Sequence, residues 1–167
     1  MKFRTIGAIG VLALALTACG SGDDDKASES ISKAIRDSGG QDMALNQEQA
    51  DCIGDGFVEE IGADQLVEYK VLNDDMTVNK GVDNVKMSED DAGSAADVVL
   101  DCADFREVFT GMMEGMPEEA QTCLDDELTD ERLKAFLTAT FSGDQDSEAV
   151  QELSTAVQEC VTANMGG

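Results

Sequence analysis

Four cysteines, Cys52, Cys102, Cys123 and Cys160, punctuate a stretch of chain that offers little else for building a strong core. Aromatic side chains make up 4% of the 167 residues and tryptophan is absent, so the core of such a chain is aliphatic and modest. None of the four cysteines sits in a CxxC pair and there is no histidine. The close-set ligands of a zinc ribbon and the paired thiols of a thioredoxin-like centre are therefore both lacking. An even number of well-separated cysteines is the arithmetic of two structural disulfides, given an oxidising compartment.

The amino terminus supplies that condition. Met1-Lys2-Phe3-Arg4 is basic, and the apolar run from Ile6 to Leu16 is well short of the roughly 20 residues a spanning helix needs. Residues 1–18 read as a cleaved secretory signal. The run ends in Leu16-Thr17-Ala18-Cys19, which resembles the lipobox of bacterial lipoproteins, with Leu, small, small, Cys matched at all four positions. The resemblance implies that Cys19 becomes the lipidated first residue of the mature chain. One acyl chain holds only marginally, so the several that lipobox proteins carry imply a permanent extracytoplasmic tether to the bacterial cell membrane.

Without Lys2 and Arg4, nine basic side chains face 36 acidic ones, a net charge of −27. A surface this negative repels phosphate backbones and anionic lipid head groups alike, so nucleic acid is not an expected partner. An acidic, solvated coat against aggregation accounts for it more simply than a cation sink does.

Along the chain, residues 19–45 read as a lipidated tether. Gly20 to Lys26 has nothing to bury and is expected to be a flexible spacer that lifts the domain off the membrane. Ala27 to Asp37, with Ile31 and Ile35 four apart, predicts a short helix that either docks or belongs to the linker.

The domain, residues 46–167, opens at Asn46, where Gln49 completes a capping box ahead of Ala50, Ile53, Phe57 and Ile61 at helical spacing, with Gly62 as the stop. A second short helix is expected from Asp64 to Leu72 with Leu66 and Tyr69 inward, and then a surface loop from Asn73 to Met87. Ser88 starts a helix that buries Ala95, Val99 and Cys102 and continues, or breaks near Asp104 and restarts, through Phe105, Val108, Phe109 and Met112. Pro117 suits the first turn of the next helix, carrying Ala120 and Leu124 beside Cys123. Thr129 caps a helix closed by Gly143, and the last helix, from Asp146 or Ser147, puts Val150, Leu153, Val157 and Cys160 on one face. The class is all-α: a small disulfide-bonded bundle of about five to seven short helices.

The chain also has an outline of two similar halves, residues 46–102 and 117–163. Each has a cysteine early in one helix, a short helix with Leu then an aromatic, and a closing helix with a cysteine on its buried face. Four cysteines allow three connectivities. A true repeat favours Cys52 with Cys102 and Cys123 with Cys160, and the spacing leaves the other two open. Gln49-Ala50-Asp51-Cys52 with Glu60-Ile61-Gly62, and Gln121-Thr122-Cys123-Leu124, resemble stretches of uncharacterised actinobacterial four-cysteine lipoproteins. That resemblance implies no activity, ligand or catalytic residue.

Candidate chemistry is thin. With Gly56 as the turn glycine of a calcium loop, Asp51 and Asp55 take the first and fifth positions, but Ile53 takes the third and Gly62 the twelfth, so the closing bidentate acid is missing. Asp144-Gln145-Asp146-Ser147-Glu148 reads as a solvated helix start, and Asp23-Asp24-Asp25 as linker. Met112, Met113 and Met116 could offer thioethers to Cu(I), although pliable packing is the commoner use of such methionines. There is no phosphate loop, nucleophile elbow, metal motif or cofactor motif. The expectation is a non-catalytic binding or envelope-interaction module with a protein or small-molecule partner, or alternatively a small-ligand or divalent-cation carrier with its site between helices.

Overall fold

The structure, a computed structural model, describes residues 22–38, 45–80, 85–104 and 116–165. The signal segment, Cys19, and the expected helical stretch with Phe105, Val108, Phe109, Met112 and Met113 lie outside them. The described residues form seven helices: α1 (Gly22–Ser38), α2 (Gln47–Glu60), α3 (Ala63–Glu68), α4 (Glu89–Cys102), α5 (Glu118–Glu127), α6 (Asp130–Ser142) and α7 (Glu148–Met165). Their only β feature is one antiparallel bridge between Leu72 and Val78.

Local chemistry sets most helix ends. The Asn46 side chain accepts from the Gln49 N–H at 2.9 Å while the Gln49 side chain accepts from the Asn46 N–H at 3.0 Å, so two orphan donors of α2 are satisfied reciprocally. Ser88 and Thr129 accept from the N–H groups of Asp91 and Arg132 at the starts of α4 and α6. Gly143 closes α6 in the left-handed region at φ +73°. Pro117 is the cap residue of α5 and stands just before its first turn.

Two expectations are corrected. Gly22 to Lys26 is no spacer: these residues are the first turns of α1, and Asp23, Asp24 and Asp25 lie where the helix dipole favours acids. The helix persists because it is docked. Ala27 (0% exposed), Ile31 and Ser32 are buried against α2, and Ser32 Oγ donates to the Ala50 carbonyl at 3.1 Å. Gly54 lets the two backbones approach, since a Cβ there would lie 2.6 Å from the Ser28 carbonyl oxygen. The second correction concerns Asn73 to Met87, which is more than a surface loop. Its described residues bury Met76 and Met87, and Leu72 just before it is also buried. The loop is pinned by Asn73 N–H to Thr77 O, Met76 N–H to Asn73 O and Asn79 N–H to Val71 O. No sequence period marks these side chains because irregular backbone presents them.

Two clusters make the core. The larger joins α1 to α4 through Ile31, Ile53, Phe57, Leu66 and Val99, and it also takes Leu137 from α6. The smaller holds Leu128, Leu133 and Leu153. Half-buried Leu100 and Phe136 pack against both, so the clusters form one connected interior, and within the larger one Phe57 meets Phe141 edge-on at 6.0 Å. In space the helices follow a series, with α1 on α2, α2 on α4, α4 on α6, α6 on α7 and α7 on α5.

Candidate functional site

Cys52 bonds Cys102 and Cys123 bonds Cys160, each pair with Cα atoms 5.6 Å apart. Both first partners are the sixth residue of their helix, α2 and α5. Both second partners lie far along theirs, Cys102 at the end of α4 and Cys160 in the fourth turn of α7. The environments differ. Cys52 is exposed and Cys102 half-buried, whereas Cys160 is 2% exposed.

A depression of about 880 Å³ lies between the end of α4 and the start of α6. Leu100, Leu133 and the Cys102 side of the first bridge form its apolar part, and Asp97, Asp101, Asp130 and Glu131 crowd around it. Asp104, the last described residue before Met116, is its edge. Lys134 crosses it to Asp97 at 2.6 Å, an exposed pair of small energetic weight. The arrangement attracts cations diffusely. It has no nucleophile with a base at hydrogen-bond distance, and no group of three or more acids or cysteines disposed to hold a metal ion is found among the described residues.

The calcium reading fails on geometry as well as on ligands, because Asp51, Ile53, Asp55 and Gly56 all lie within the continuous helix α2, where no loop can wrap an ion. Asp55 instead accepts from the Ser28 hydroxyl of α1. Met116 is half-buried and its carbonyl accepts from Gln121 Nε2 at 3.1 Å, while Met112 and Met113 lie outside the described residues. The Asp144 carbonyl accepts from Ser147 N–H ahead of α7, consistent with a helix start.

Sequence reading missed one polar cluster. Tyr69, the only tyrosine, donates from its hydroxyl to Asp91 and accepts there from the Ser88 N–H at 3.2 Å. Ser88 Oγ also donates to Asp91 at 2.9 Å, so the end of α3 is tied to the cap of α4. Each member already had a local use, as inward aromatic, cap and first-turn acid, and no spacing rule links them. In the loop beyond, Asp75 is held below the ordinary aspartate range, chiefly by the Thr77 hydroxyl and then by the Thr77 N–H. A lowered folded pKa stabilises the loop above the ordinary aspartate value, and that contribution disappears as pH falls through the lowered one.

Compared with known protein families, curated proteins and solved structures, the chain matches none.

Proposed function

We propose that this protein is a lipid-anchored, extracytoplasmic, non-catalytic binding or envelope-interaction module. The observation that carries the reading is Leu16-Thr17-Ala18-Cys19 at the end of a short apolar run behind a basic start. Two disulfides in a domain of this size support delivery to an oxidising compartment. A module of this kind works through its surface. Every buried side-chain polar atom among the described residues has a partner, and the buried core is mostly alanine and leucine.

The carrier alternative needs an enclosed apolar cavity with a few convergent polar groups. The depression between α4 and α6 is instead open and rimmed by acids.

The test is the fate of Cys19. Mass spectrometry of the protein from a bacterial host should find an amino-terminal peptide beginning at Cys19 and carrying acyl chains. The Cys19→Ser variant should leave the membrane fraction and appear in soluble form. An unmodified amino-terminal peptide, or a serine variant that stays with carbonate-washed membranes, would refute the anchor.

A further inference from the structure

We infer that the outward face of α6, between α4 and the start of α7, is a docking groove for one amphipathic helix of a protein partner, with lysines and arginines flanking that helix's apolar stripe. The inference deepens the binding-module reading and rests on it. Beyond the depression of about 880 Å³ at the start of α6 lies a second of about 690 Å³ at its end, walled by Glu89 of α4 and by Ser147 and Ala149 at the start of α7. Glu131 and Lys134 line both, so the two are one continuous groove. It follows α6 because α4 lies antiparallel beside it, with Lys134 against Asp97 and the Met87 N–H donating to the Phe141 carbonyl. From Asp130 to Ser142 the helix is about 18 Å long, which gives room for a partner helix of about three turns.

Shape and charge together select the occupant. Ala135, Thr138, Ala139 and Ser142 form the floor at the far end, and side chains this small let a second helix axis approach to about 8 Å. At the near end Leu100 and Leu133 offer a seat to one large apolar side chain. Acids flank the floor along its length, with Asp97 and Asp101 of α4 at one end and Glu89 and Asp144 at the other. Lys134, the one base lining the groove, marks where a partner's cation would sit: its ammonium is 2.6 Å from Asp97, in an exposed pair that is readily exchanged. The acid coat alone does not make such a seat. The depression beside Glu127 and Arg132 is acidic too, but Gln151, Glu152 and Thr155 give it a polar lining. A second copy of this chain cannot supply the helix, because α2, α3, α4, α5 and α7 contain no lysine or arginine and α1 has five acids against three bases. Anionic lipid and nucleic acid are repelled, and a small polyamine would leave the apolar floor bare. A basic amphipathic helix uses both features, its apolar residues at i, i+3, i+4 and i+7 on the floor and its charges against the rim.

The test uses the full chain made with Cys19→Ser, so that no lipid is present. The probe is a synthetic helical peptide of about 14 residues of leucine, alanine and lysine, with its apolar residues at i, i+3, i+4 and i+7. A peptide of the same composition in scrambled order and spermidine serve as comparisons. Titration calorimetry at physiological salt should show the ordered peptide binding about tenfold tighter than the scrambled one. Ala135→Lys, at an exposed position on the floor, should weaken binding by about tenfold, whereas Thr155→Lys, an equal change of charge on α7 outside the groove, should weaken it by about twofold or less. Both positions are exposed and helical, and unchanged circular dichroism would show that the fold is kept. No binding of the ordered peptide, equal affinity for the two peptides, or spermidine binding as tightly as the ordered peptide overturns the inference, since the attraction would then be that of the acid coat as a whole. Tight binding of the ordered peptide that Ala135→Lys leaves unchanged overturns the groove while keeping a binding module with its site elsewhere. Mass spectrometry of Cys19 in the native chain decides the anchor independently of all these results.

Discussion

Tyr69 carries more of the fold than its half-buried position suggests, because its hydroxyl both donates to Asp91 and accepts from the Ser88 N–H. Tyr69→Phe should lower stability by about 1–2 kcal/mol, the range for a hydrogen bond to a charged group that is only partly shielded, and urea melts would read it. The neighbouring Lys70 and the nearby Met76 both adopt positive φ, at 61° and 60°. At exposed Lys70, Lys70→Gly should raise stability by up to about 1 kcal/mol, since glycine carries no Cβ penalty there. At Met76 the same replacement should lower it by about 1–3 kcal/mol, because the lost side chain is 8% exposed and its burial outweighs the relief. The caps at Asn46, Ser88 and Thr129 and the stop at Gly143 were legible in the sequence because each is a local arrangement within three or four residues. The Tyr69 cluster was not, since its members come from separate elements.

At the level of elements, the contact between α1 and α2 depends on small residues. A Cβ on Gly54 would fall 2.5 Å from Ser32 Oγ and 2.6 Å from the Ser28 carbonyl oxygen, and the carbonyl cannot rotate away. Gly54→Ala should therefore destabilise by about 1–3 kcal/mol, with amide protection lost first in α1. Gly93 on α4 is the matched control: a Cβ there meets nothing within 4 Å, so Gly93→Ala should instead stabilise by about 0.5–1 kcal/mol. A gain at both positions would mean that α1 is not packed on α2 as described. The same contact explains why residues 22–26 read as spacer. Their composition has nothing to bury, and they are helical because the turns that follow are held by another helix. Ala50, Ile53 and Phe57, by contrast, announce α2 through their own period.

Across the whole molecule, the two disulfides secure halves of unequal strength. The half from α1 to α4 has most of the larger cluster, whereas α5 to α7 share a core of Leu128, Leu133 and Leu153 with partial help from Phe136 and Val157. The outline of two halves pointed toward the pairing, but the difference in strength was not legible, since α1 covers only the first half and its docking is a tertiary fact. By chain entropy each bridge, with sequence separations of 50 and 37, contributes about 4 kcal/mol. The second half, whose hydrophobic cluster is the smaller, leans on its bridge the more. Graded reduction followed by alkylation and mass spectrometry should open Cys52–Cys102 first, because Cys52 is exposed while Cys160 is buried. The consequences should run the other way. The double variant Cys52→Ala with Cys102→Ala should keep a cooperative, weakened transition, whereas Cys123→Ala with Cys160→Ala should free α5 and α7 while α1 to α4 stay protected from amide exchange. If the second pair of substitutions instead melted all seven helices together, Leu100, Phe136 and Leu137 would couple the halves too tightly for either to stand alone, and the disulfides would stabilise a single cooperative unit.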